Sequence, residues 1–254
     1  MSSLKFLALT LLMSITTAIP ASIPIKNLIK RDSGFSAGWG FTQDEGTSTY
    51  VVDAVTILQV PEQPDTNDVV RFIWPGMQTS QDGLIQTVLG TRAGGWCGSD
   101  TSISQWCIFT GLMADEFTHG TAVTVNPGDY LVLDYKYTPD NGGQVTQTVT
   151  RPGSSDVLSQ YTSAAPLVGQ YVFCMECAGS TTDTITMPDT TFWNTTVTLA
   201  SPNPDLVSLI KDDTVRDYQG FTTSDGGTTW FAPKVEFQEH QCTPGEFVPA
   251  NPVG

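Results

Sequence analysis

The sequence predicts an all-β protein, a two-sheet antiparallel β-sandwich of jelly-roll, concanavalin-like type. Three observations point to it. Apolar and polar residues alternate with period two along most of the chain after Arg31. Gly, Pro, Asn and Asp punctuate the runs about every 8 to 14 positions. Hydrophobic residues make up 39% and charged residues only 15%, which excludes a coiled coil, a helical bundle and a highly charged disordered chain.

Taken in order, strands are expected at 50–60, 68–74, 83–89, 104–112, 121–125, 130–137, 144–150, 169–175, 190–199 and 228–237. β-Branched and aromatic residues fill these runs, as a pleated, half-buried surface favours. Pro139-Asp140-Asn141-Gly142-Gly143 marks a hairpin between two of them. A single short helix is expected from Pro204 to Lys211, capped by Ser201 or Asn203. The absence of a 20–50-residue repeat argues against a propeller or solenoid.

The ends of the chain read differently. Lys5, the apolar run Phe6 to Met13 and the small residues around Thr16–Ala18 predict a signal peptide over 1–18. Lys30-Arg31 is a dibasic processing site and predicts a short propeptide over 19–31. A single sandwich domain is expected over 32–237. Residues 238–254, with Pro244, Pro249 and Pro252, are expected to form a loose tail. The mature protein is therefore expected to be secreted, monomeric and without a membrane span.

The charge balance is 11 basic against 26 acidic side chains, a net −15. Residues 1–31 hold four of the basic ones and no acid, so the mature chain is more acidic still. Nucleic acid is not expected as a partner, because the sequence has no cationic cluster to displace phosphate counterions. Such acidity suits solubility at neutral pH, or work in acid where self-repulsion falls.

All five cysteines lie after Arg31. The favoured pairs are Cys97–Cys107 and Cys174–Cys177 with Cys242 free, and Cys174–Cys242 is the competing pair. Asn194-Thr195-Thr196 is an N-glycosylation sequon. No metal site is expected, since His119 and His240 lack ligand spacing, and no cofactor is implied. GxSxG, HExxH and P-loop signatures are missing.

Two residues stand out chemically. Gln86 interrupts the apolar strand Leu84-Ile85-Gln86-Thr87-Val88-Leu89. A buried amide needs hydrogen-bond partners, whereas one on a ligand-facing sheet can donate to an oxyanion. Glu176 ends the apolar run Tyr171-Val172-Phe173-Cys174-Met175, where burial could raise a carboxyl pKa and suit it to acid–base work. By residue type alone, each is more often a structural residue than a functional one. Trp74 and Trp106 are candidate substrate platforms among tryptophans that more often fill cores.

Together these segments resemble the fungal glutamic peptidases, or eqolisins. The resemblance rests on Gly38-Trp39-Gly40, Leu58-Gln59-Val60-Pro61, Trp74-Pro75-Gly76, Leu84-Ile85-Gln86-Thr87, Gly128-Asp129, the Thr/Val-rich segment Gln144–Thr150 and Phe173-Cys174-Met175-Glu176. The chain departs from the family at Met77-Gln78, where an acidic residue is usual, and in setting Glu176 between two cysteines. The resemblance implies a secreted, acid-acting endopeptidase of polypeptides. Glu176 would activate water, and Gln86 would stabilise the oxyanion. Two alternatives remain open. One is a carbohydrate-active enzyme on the same fold, a lyase with a groove rimmed by Arg71 and Arg92 or a glycosidase pairing Glu176 with Asp53, Asp115, Glu116 or Asp134. The other is a non-catalytic carbohydrate-binding or effector module.

Overall fold

The computed structural model describes residues 34–42, 49–65, 67–79, 83–114, 117–164, 170–179, 184–204, 207–208, 215–218 and 220–243. The expected signal peptide and propeptide lie outside them, as do Asp115 and Glu116.

Eighteen strands are formed among the described residues. The first nine are β1 (Gly34–Thr42), β2 (Val51–Gln59), β3 (Val70–Gln78), β4 (Leu84–Thr91), β5 (Trp106–Met113), β6 (Phe117–His119), β7 (Val123–Val125), β8 (Tyr130–Thr138) and β9 (Gln144–Thr150). The others are β10 (Val157–Ala164), β11 (Gln170–Ala178), β12 (Ile185–Met187), β13 (Thr190–Leu199), β14 (Val207–Ser208), β15 (Val215–Tyr218), β16 (Thr222–Thr223), β17 (Thr229–Phe237) and β18 (His240–Cys242).

They build two antiparallel sheets. The first runs β14-β1-β11-β3-β4-β5-β6, with β7 also on β5; the second runs β10-β9-β8-β2-β13-β17-β15, with β16 on β17. β12 and β18 form a small third ladder. The expected fold class is the observed one, and each of the ten expected strands has its counterpart.

Alternation decides what each face meets. In β2, β8 and β9 one residue in two is buried, so the second sheet keeps a polar outer side. The inner faces share one core that includes Leu58, Ile73, Ile85, Leu133, Phe173, Phe192 and Phe237. β3 and β4 are buried almost throughout, and a second apolar cluster covers the outer side of the first sheet. No helix among the described residues is long and apolar enough to cross a membrane.

Four expectations are corrected. The helix is absent where the structure is described: Val207 and Ser208 are strand residues that pair with Thr42 and Phe41. The tail is not loose up to Cys242, because β18 pairs with β12. Its residues beyond 243 lie outside the described set. Trp106 is not a surface platform. It is fully buried in the inter-sheet core, with its indole N–H donating to the Pro61 carbonyl at 2.9 Å.

The fourth correction concerns the cysteines. Cys97 joins Cys107, but Cys177 joins Cys242 and Cys174 is free. Cys174 and Cys177 lie three residues apart on β11, so their side chains leave opposite faces of the sheet. Their Cα atoms stand about 10 Å apart on an extended strand, beyond disulfide reach. Cys177 points into the core and meets Cys242 with 6.2 Å between Cα atoms.

Asn194 is exposed and sits with φ 51° at a bulge where the β13–β2 register shifts between Trp193 and Thr196. Asp225 closes the turn before β17. Its carboxylate accepts N–H groups from Thr228 and Thr229 and the Thr223 hydroxyl. The Thr229 N–H, chief among these bonds, holds its pKa down at about 2.

Two outcomes test this description. Non-reducing peptide mapping should recover Cys97–Cys107 and Cys177–Cys242 and one alkylatable thiol, Cys174. Cys242→Ser should cost about 2–5 kcal/mol in denaturant unfolding. The depressed Asp225 pKa stabilises the fold above the ordinary 3.8, and that gain is lost as pH falls through about 2. Asp225→Asn should therefore lower the urea midpoint at pH 5 and leave it nearly unchanged near pH 1.5.

Candidate functional site

Gln86 lies on β4 in the middle of the first sheet, and pairing fixes what stands beside it. Its level across the sheet reads Val172, Gly76, Gln86, Gly111, His119. By alternation these positions belong to the outer side, where Trp74, Leu84, Val88, Phe109, Phe117 and Val172 form the apolar cluster.

Both neighbours of Gln86 on its level are glycines, and both are required. A Cβ on Gly76 would meet the Ile85 carbonyl oxygen at 2.7 Å and the Trp74 ring at 3.1 Å. One on Gly111 would meet the Thr118 carbonyl oxygen at 2.7 Å and the Phe117 ring at 2.8 Å. Gln86 is thus the long side chain between two bare strands. It is buried, yet no hydrogen bond holds its amide among the described residues.

From the inner side, the backbone around Gln86 is braced by polar side chains. Pro75 has no N–H to give, and the β3–β4 pairing lapses between Ile73↔Leu89 and Gly76↔Gln86. The buried Tyr135 hydroxyl fills that lapse. It accepts the Thr87 N–H at 2.9 Å and donates to the Pro75 carbonyl at 2.7 Å. Burial pushes the Tyr135 pKa far up, so the group stays a hydroxyl and keeps both bonds. Gln147 continues the brace, donating to the Gly111 carbonyl at 2.9 Å and accepting the Thr87 hydroxyl at 3.3 Å. Composition and motif reading passed over Tyr135 and Gln147. The available signal was a proline inside a strand, which requires something to replace its missing donor.

Glu176 shares the outer side with Gln86 but not its level. It pairs with Phe72, which pairs with Gly90. Gln86 is level with Val172, four residues earlier on β11, and lies two strands away. Strand geometry puts the two Cα atoms about 16 Å apart. Between them runs the level Cys174, Trp74, Val88, Phe109. The structure therefore does not bring the expected Gln–Glu pair within one water of each other. Burial first, and the Glu176 carboxylate second, push the Cys174 thiol pKa well up, so Cys174 is no ready nucleophile.

Other expected residues are placed as follows. Trp74 is on the same side as Gln86 but 1% exposed. Arg71 points inward and is fully buried, donating to Asp65 at 2.8 Å and to the Thr186 carbonyl at 2.7 Å. Arg92 pairs with Asp68. The two arginines therefore do not rim one groove. His119, set aside in the sequence for want of context, stands on the level of Gln86. Its Nδ1–H donates to the Gly120 carbonyl at 2.7 Å, and its ring stacks on Phe117. Among the described residues no His, Cys, Asp and Glu cluster could hold a metal ion. An open cleft of about 390 Å³ bordered by Pro61, Gly128 and Pro188 gathers none of the expected site residues.

No protein-family model matches the chain, and no curated protein does. Among solved structures, scytalido-glutamic peptidase with a peptide-based transition-state analogue is 16% identical, with a TM-score of 0.41. That alignment covers 78% of this chain and 98% of the other. SCP-B, a member of the eqolisin family crystallised with the tripeptide Ala-Ile-His, is 14% identical over 81% of this chain and 100% of its own, with a TM-score of 0.45. The CBM2 module of an evolved Dit protein from Lactobacillus casei BL23 phage J-1 is 8% identical over 78% and 64%, with a TM-score of 0.34.

The brace yields a stability test. Tyr135→Phe keeps the ring but strands a buried N–H and a buried carbonyl, so it should cost about 2–4 kcal/mol in denaturant unfolding. A wild-type midpoint in that variant would show that the hydroxyl does not carry the strand gap.

Proposed function

We propose that this protein is a secreted, acid-acting hydrolase of extended polypeptides, working on the outer side of its first sheet with Gln86 as the oxyanion donor. One observation carries the proposal. The fold braces the strand of Gln86 from within, clears both its neighbours to glycine, and gives its amide no hydrogen-bond partner among the described residues. An amide N–H held toward a reacting carbonyl lowers the barrier where charge develops on oxygen, and such a donor is worth about 10²–10³ in rate.

Glu176 enters the proposal differently from what the sequence implied. At its level it is out of reach of a water attacking a carbonyl at Gln86. The water-activating carboxylate is then another of the chain's acids. The two disulfides and the −15 charge agree with an oxidising, extracellular setting and with acid as the working condition.

The carbohydrate reading keeps one point in its favour, His119 on the level of Gln86, and loses its basic rim because Arg71 is internal and paired. A lyase acting there would consume acidic polysaccharide in the absence of protein cleavage.

The proposal is tested with purified mature protein on a denatured protein substrate from pH 2 to 7. Cleavage should be confined to acid. Gln86→Ala should lower kcat by at least about 10²-fold, while Glu176→Gln should stay within about threefold of wild type, as its distance from Gln86 requires. Undiminished acid proteolysis by Gln86→Ala would overturn the assignment.

A further inference from the structure

His119 stands on the level of Gln86 with only Gly111 between them. β6 carries Phe117 into the outer apolar cluster, so His119, two residues on, leaves the same side of the sheet. Two strand spacings put the Cα atoms of Gln86 and His119 about 10 Å apart. Their side chains can close that span on one small atom held between them. The floor under that atom is apolar, because the edge of the Phe117 ring fills the place of the side chain that Gly111 lacks.

The histidine is firmly held. Its ring lies against Phe117, with centroids 5.4 Å and planes 21° apart, and against Phe109 at 5.8 Å. Gly120 fixes the backbone beside it: its N–H donates to the Thr110 carbonyl at 2.8 Å, and a Cβ there would overlap the Gln160 carbonyl. The Gly120 carbonyl takes the Nδ1–H at 2.7 Å. A carbonyl can only accept, so Nδ1 keeps its proton whether the ring is neutral or charged. Nε2 has no hydrogen-bond partner among the described residues. For packing alone a phenylalanine would serve.

We infer that His119, as an imidazolium, is a second oxyanion donor: its Nε2–H and the Gln86 amide hold the same developing oxygen charge from opposite sides. This inference deepens the proposed function and rests on it. A charged donor is roughly twice as strong as a neutral one. With Nδ1 already bonded, the neutral ring turns a lone pair toward the oxygen instead. Loss of one proton as pH rises therefore converts attraction into repulsion, and hydrolysis ends there. No Asp, Glu, Lys or Arg stands on β4, β5, β6, β7 or β10, the strands around this ring. Besides the disulfide-bonded Cys107, their other titratable side chain is Tyr161, whose hydroxyl donates to Thr118. Asp115 and Glu116, just before β6, lie outside the described residues.

The test reads kinetics against pH on the purified mature protein. His119→Phe keeps the ring contacts and removes both nitrogens. It should lower kcat on a peptide substrate in acid by at least about tenfold and leave KM within about twofold. His119→Gln offers a donor that does not titrate. It should move the alkaline limb of kcat upward by at least about one pH unit. A third measurement keeps the native ring, in nitrogen-15-labelled protein with His240→Gln to leave one histidine signal. The Nε2–H resonance at pH 4 should move on adding a phosphinate peptide, whose anionic tetrahedral oxygens resemble the intermediate.

A wild-type kcat in His119→Phe would overturn the inference while leaving Gln86 as oxyanion donor intact. So would an unmoved alkaline limb in His119→Gln, or an unmoved Nε2–H resonance at saturating phosphinate, which decides the matter should either variant fail to fold. Absence of acid proteolysis in the folded wild-type protein would overturn both the inference and the function on which it rests.

Discussion

The arrangement of the first sheet depends on one buried hydroxyl. Pro75 interrupts the ladder between β3 and β4, and a gap in a central strand pair would leave backbone groups without partners in the core. Tyr135, reaching across from β8 in the other sheet, supplies a donor and an acceptor at that gap. A side chain of one sheet thus completes the backbone of the other. This connection is directional, whereas the apolar contacts between the sheets are not. It sets the height at which β4 crosses β3, and with it the level of Gln86. Gln147 repeats the device one strand further on.

Much of the fold was legible because alternation is a local property. Leu131, Leu133 and Tyr135 point inward and Asp134 and Lys136 outward, as the sequence of β8 reads. Strands that were missed lack that contrast. β1 is diluted by three glycines, and β10 mixes Ser, Gln, Tyr and Thr on both faces. The helix expected at Pro204 rested on capping residues, but edge pairing with β1 prevailed where the segment is described. Tertiary pairing commonly overrides such local preferences.

The site was legible only in part, for a different reason. Residue type marked Gln86 as anomalous, and its isolation in the structure agrees with that. The level of a residue, however, depends on which strands pair and in what register, and no stretch of sequence carries that information alone. Glu176 and Gln86 were joined by motif order, whereas the ladders set them four residues and two strands apart. One error was avoidable from the sequence. Cys174 and Cys177 differ in parity on a strand, and parity alone forbids their union.

That same parity bears on how the chain matures. During synthesis Cys177 leaves the ribosome soon after Cys174, and its true partner Cys242 emerges 65 residues later. A premature bond between the two near cysteines would be chemically easy in the extended nascent chain but incompatible with β11. Formation of that strand commits the two thiols to opposite sides and shields one from the other. A Cys174–Cys177 bond and a formed β11 therefore exclude each other, and the Cys177–Cys242 bond ties the C-terminal strand β18 to the first sheet only when β11 is free of that short loop.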